Sequence, residues 1–120
     1  MLQPAILVVD DDESIGTMLK MMLEHKGFKV TVNQDALNLD ELIAADPVDL
    51  VLLDLLINSI KGTDVCARLK SSDATRHIPI IMMTALPGVE KQCFEAGAND
   101  FIAKPFEMEM LLDKVKAHLG

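Results

Sequence analysis

Asp10, Asp11, Asp12, Asp54, Thr84 and Lys104 are the residues of this sequence whose types and placing could do chemistry together. Each follows a short apolar run. The three consecutive aspartates follow residues 5–9, Asp54 follows 50–53, Thr84 follows 78–83 and Lys104 follows 100–103. If those runs end side by side, one edge collects an acidic pair, a lone carboxylate, a hydroxyl and an ammonium. Carboxylates brought together repel by about 4 kcal/mol per close pair at 4 Å and an effective dielectric near 20. Against folding free energies of about 5–15 kcal/mol that repulsion demands compensation. A hard divalent cation with oxygen ligands supplies it, and Mg²⁺ suits one or two carboxylates together with phosphate oxygens and water. Mn²⁺ is the alternative ion. An Asp carboxylate is also a nucleophile toward phosphorus and gives an acyl phosphate. The oxygens of the transferring group then need positive charge and donors, which Lys104, the Thr84 hydroxyl and nearby backbone N–H groups provide.

The rest of the chain has to position these groups. Short runs rich in β-branched and aliphatic residues alternate with stretches of helical period. Strands are predicted at residues 5–9 (β1), 28–32 (β2), 50–53 (β3), 78–83 (β4) and 100–103 (β5). Helices are predicted over 13–26 (α1), a short segment around Leu39, Leu42 and Ile43 (α2), 63–70 (α3), 89–96 (α4) and 107–119 (α5). In α1 the stripe Ile15, Met18, Leu19, Met22, Leu23 faces inward, with Gly27 as the stop. Five alternating βα units imply a parallel sheet with helices on both faces, and right-handed crossovers make it doubly wound. In such a sheet ligands bind outside the carboxyl ends of the strands, where the polar residues lie.

Composition agrees with a small α/β domain. The 120 residues allow one domain, 1–120, and show no internal boundary. The chain lacks Trp and Tyr and has eight Met, so the core is aliphatic with Met as filler. A net charge of −8 without a basic run argues against direct nucleic-acid binding by this segment. Cys66 and Cys93 form no CxxC pair and are expected as buried, reduced thiols. His25, His77 and His118 are scattered and expected at the surface, with no role as ligands. No secretory signal or membrane-length apolar run is present, so the cytoplasm is the expected location.

At this point the sequence resembles the response-regulator receiver domains of two-component systems. The resemblance is carried by Ile6-Leu7-Val8-Val9-Asp10-Asp11-Asp12-Glu13, Asp49-Leu50-Val51-Leu52-Leu53-Asp54, Ile78-Pro79-Ile80-Ile81-Met82-Met83-Thr84-Ala85, Glu95-Ala96-Gly97-Ala98-Asn99-Asp100-Phe101 and Lys104-Pro105-Phe106. It implies a flavodoxin-like fold with strand order 2-1-3-4-5. It implies Asp54 as phosphoacceptor from a sensor histidine kinase or phosphotransfer protein. Mg²⁺ would be held by Asp10, Asp11, Asp54 and the Leu56 backbone carbonyl. Thr84, Ala85 and Lys104 would contact the phosphoryl group, and the Lys104-Pro105 bond would be cis. Thr84 and Phe101 would switch the α4–β5–α5 face toward an output domain or protein, or a homodimer. The domain would assist its own phosphorylation and slow dephosphorylation without being an enzyme in the ordinary sense.

Departures from the pattern fall in three places, one of them Phe101, which stands where Tyr is commoner. Asn58 stands where most relatives carry Pro, and Lys61 where many carry an acid. The interval from Thr84 to Lys104 is about two residues short, which points to α4. Two other readings compete. A phosphohydrolase of the haloacid dehalogenase type would want an Asp where Leu56 stands. A degenerate receiver would bind partners without accepting phosphate. The final residue, Gly120, directly follows α5, which suits either a single-domain regulator or an N-terminal module.

Overall fold

The structure is a computed structural model that describes residues 3–119; Gly120 lies outside them. Five parallel strands form one sheet, β1 Ala5–Val9, β2 Lys29–Asn33, β3 Leu50–Asp54, β4 Ile80–Thr84 and β5 Asp100–Ala103. Numbered in this way they run in the order 2-1-3-4-5. The helices are α1 Glu13–His25, α2 Leu39–Ala45, α3 Gly62–Ser71, α4 Glu90–Glu95 and α5 Met108–Leu119. Their boundaries fall within a few residues of the sequence reading, and α4 has only six residues.

Strand alternation builds two cores. Leu7, Val9, Val51, Leu53, Ile80 and Met82 face one layer, with Leu39 and Ile43 of α2, Val65, Cys66 and Leu69 of α3 and Cys93 of α4. Ile6, Val8, Leu50, Leu52, Ile81, Met83 and Ile102 face the other, with Leu19 and Leu23 of α1 and Leu111, Leu112 and Val115 of α5. Both faces of β1 and β3 are therefore covered, which is why these strands read as unbroken apolar runs. Cys66 and Cys93 are buried and unpaired, as expected.

The same alternation sorts the polar residues at the strand ends. Asp10 continues the series of Ile6 and Val8, Asp54 that of Leu50 and Leu52, and Lys104 that of Ile102, so all three belong to the α1/α5 side. Val9 pairs with Leu53, which sets Asp10 level with Asp54. Thr84 continues the series of Ile80 and Met82 and belongs to the other side, with Phe101.

Two expectations need correcting. Met18 and Met22 are 41% and 38% exposed rather than core. The buried stripe of α1 is Gly16, Leu19 and Leu23. Gly16 lies so close to β2 that a Cβ there would come within 2.7 Å of Val32 Cγ1. His118 is not a free surface residue, because it sits 3.1 Å from Asp100 Oδ2. The segment after Asp54 forms a hairpin, in which Leu56–Ile57 pairs antiparallel with Ile60–Lys61.

Candidate functional site

The site lies at the carboxyl end of the sheet and is built around a carboxylate that water does not reach. Asp10 is fully buried, a rare state for an unpaired acid. It is held by Lys104 Nζ at 2.9 Å and by the Asp12 N–H at 2.9 Å. Asp12 in turn caps α1, its carboxylate accepting from the Ser14 and Ile15 N–H groups. Asp11, between them, is exposed and accepts the Asn58 N–H at 2.8 Å.

Asp54 ends β3. Its Oδ1 accepts from Lys104 Nζ at 3.2 Å and from the Leu55 N–H at 3.0 Å. Burial and the neighbouring Asp10 charge push the Asp54 carboxyl above its ordinary value, against the opposing pull of Lys104. Lys104 responds in the complementary way. Burial disfavours its charge, but the bonds to Asp10 and Asp54 outweigh burial and raise it. One ammonium thus bridges two carboxylates, while three carboxylates share the pocket. Ligand oxygens of Asp10, Asp11 and Asp54 lie within 4.8 Å of one another.

This donor set fits a hard divalent cation. It offers only oxygen, carries more negative charge than Lys104 cancels, and has an exposed side at Asp11. The Leu56 carbonyl is left free by the hairpin that follows Asp54. Ile57 faces Ile60 and Leu56 faces Lys61 across the hairpin, and the Gly62 N–H bonds to the Leu55 carbonyl. Bonded and unbonded pairs alternate in an antiparallel ladder, so Leu56 falls in the unbonded pair and its carbonyl is not used by the hairpin. Gly62 keeps this return tight, since a Cβ there would run into the Asp54 carbonyl oxygen.

Thr84 and Phe101 belong to the other face of the sheet. Thr84 is buried, and its hydroxyl accepts the Leu86 N–H at 2.9 Å. Ala85 is exposed, and with Lys104, Pro105, Phe106, Ile15 and Met18 it lines a small apolar cleft beside the site. The Lys104-Pro105 bond is cis. Phe101 is half-buried, edge-on to Phe94 of α4 at 6.0 Å, with Lys114 of α5 6.0 Å from its ring centre.

Two features escaped the sequence reading. The turn that makes the Asn58 bond to Asp11 was foreshadowed by Asn-Ser between Leu56-Ile57 and Ile60. The cluster of Asp100 with Lys114 and His118 was foreshadowed by the spacing of the last two, four apart on one helix face.

Comparison with known proteins agrees with this geometry. Residues 6–116 match the family model for the response regulator receiver domain. A DNA-binding dual master transcriptional regulator of Synechocystis is 36% identical over 97% of this chain and 49% of its own length. The chain spans about half the length of the curated relatives it matches. A response regulator structure from Chloroflexus aurantiacus superposes with a TM-score of 0.92 at 33% identity, covering 98% of both chains. The receiver domain of a Pseudomonas aeruginosa sensor histidine kinase superposes with a TM-score of 0.88 at 28% identity, covering 99% of both. That structure holds a magnesium ion coordinated in its active site cleft.

Proposed function

The chain belongs to the response regulator receiver domain family, and on that footing we propose that Asp54 is the phosphoacceptor of a two-component phosphorelay. The observation that carries the reading is the bridge from Lys104 to Asp10 and Asp54 within a three-carboxylate pocket. An Asp54 oxygen attacks the phosphorus of a phosphohistidine on a sensor kinase or phosphotransfer protein. A P–O bond forms as the P–N bond breaks, and the imidazole leaves. Asp10, Asp11, Asp54 and the Leu56 carbonyl would hold Mg²⁺, which when bound neutralises charge on the phosphoryl oxygens. Lys104, already at Asp54, pairs with the arriving group. The Thr84 hydroxyl and the Ala85 N–H complete its contacts.

Readout follows from the division between the two faces. Thr84 must leave Leu86 to reach the phosphoryl group, and Phe101 lies on the same side of the sheet. Phe101 touches α4 through Phe94 and α5 through Lys114. Its movement would carry the change to the α4–β5–α5 face, a two-state element biased by a local charge. That face would meet an output domain, a separate partner or a second copy. The relay would operate in the cytoplasm; no described helix is long and apolar enough to cross a membrane.

Leu56 and Leu86 flank the site at 56% and 59% exposure. Neither can orient an attacking water, so the acyl phosphate should be long-lived. Acetyl phosphate with Mg²⁺ should add one phosphoryl group by mass spectrometry, and Asp54→Asn should abolish it. Beryllofluoride with Mg²⁺ should shift NMR signals around Asp54 and Phe101. A folded sample that neither takes label nor shifts would indicate a degenerate receiver, and loss of label within seconds would overturn the lifetime.

A further inference from the structure

We propose that Asn58 is a positioning residue for the cation site, with its backbone N–H holding Asp11 in the orientation that receives the ion. The inference rests on the reading of Asp10, Asp11 and Asp54 as a divalent-cation site. Asn58 and Ser59 connect the two hairpin strands, with Ile57 facing Ile60. Both have positive φ, 49° and 70°. A two-residue hairpin of the type I′ form requires that, and Asn is among the residues that enter it most readily. The turn aims the Asn58 N–H at Asp11 Oδ2, 2.8 Å away. The Asn58 side chain donates to the Gln34 carbonyl at 3.1 Å, tying the hairpin tip to the segment after β2.

Asp11 needs such a hold. Its neighbour Asp10 is buried with two donors, and Asp12 is committed to the helix cap. Among the described residues, Asn58 provides the one hydrogen bond made to the Asp11 carboxylate. A bond to Oδ2 leaves Oδ1 free to ligate. Partners that orient a ligating carboxylate typically change metal affinity by about 10–100-fold when removed. Proline in place of Asn58 has no N–H and fixes φ near −65°, so it would remove both the donor and the turn. In this chain the departure at position 58 is therefore a supporting part of the site and not a loosening of it.

The test is an NMR titration of ¹⁵N-labelled metal-free protein with MgCl₂, which reads affinity without phosphorylation. Asn58→Pro should weaken Mg²⁺ binding at least tenfold. Asn58→Gly keeps the N–H and tolerates positive φ, so it should stay within about twofold of the parent. A folded Asn58→Pro that binds as tightly as the parent overturns the proposal. Equal weakening in both variants also overturns it, because the side chain would then be responsible. If the proline variant does not fold, hydrogen exchange on the parent decides. The Asn58 amide proton should be protected without metal and lose protection in Asp11→Ala, while the Ile60 amide is unchanged; an unprotected Asn58 amide in the parent overturns the role. A parent that binds no Mg²⁺ would instead refute the cation site itself.

Discussion

Lys104 is the residue on which the metal-free site depends. Its ammonium is the partner of a carboxylate with no exposed surface, and the same Nζ reaches Asp54. Lys104→Met would leave the buried Asp10 side chain supported by a single N–H. Removing one partner of a buried pair in this way costs about 3–5 kcal/mol. Urea denaturation in EDTA, followed by circular dichroism, should show that loss, and Mg²⁺ should recover part of it. A variant as stable as the parent in EDTA would mean that the Lys104 bridge to Asp10 adds nothing to stability. Asp10, Asp11, Asp54 and Lys104 were legible in the sequence because strand-end position and residue type are both local. The Thr84 hydroxyl was legible as to place but not direction. Its turn toward Leu86 follows from strand parity, which depends on register and not on composition. The Asn58 bond was hidden further still, because it joins groups 47 positions apart.

Among the elements, β5 and α5 are joined by a polar cluster that the fold alone did not require. Lys114 and His118 both reach Asp100, at 2.9 and 3.1 Å. Burial pushes the Asp100 carboxyl up, but hydrogen bonds from Lys114, His118 and the Phe101 N–H outweigh it. They hold the group below its ordinary value of 3.8. Between the folded and unfolded values the unfolded chain binds more protons, so stability rises with pH across that window. The contribution is complete above 3.8 and disappears as pH falls through the folded value. Asp100→Asn should therefore be less stable than the parent by about 1 kcal/mol at neutral pH, a modest figure for a partly exposed cluster. The deficit should shrink as pH falls below 3.8 in urea titrations. A deficit that stays constant over that range would assign the loss to packing. The strands and helices themselves were read almost completely from apolar periodicity. The misassigned methionines show the limit of that signal, because periodicity locates a helix face but not which of its residues are buried.

For the molecule as a whole, two aliphatic cores stabilise a chain whose net charge is −8, and the acids are not evenly spread. Three of them converge at one end of the sheet. Two different effects would make cations stabilise such a protein, and they can be told apart. Any salt screens the general self-repulsion, with a Debye length of about 10 Å at 0.1 M. A specific site adds stability by mass action, about 1.4 kcal/mol when the free ion stands tenfold above its dissociation constant. For a domain near this size that amounts to roughly 5 °C in Tm. MgCl₂ should therefore raise Tm by that amount over NaCl at matched ionic strength. The increment should vanish in Asp11→Ala, which removes a ligand from the exposed side of the pocket without unburying Asp10. It should persist in Asp100→Asn, whose carboxylate lies in a separate cluster. If NaCl matches MgCl₂, the cation effect belongs to the charge of the whole molecule and not to the three carboxylates.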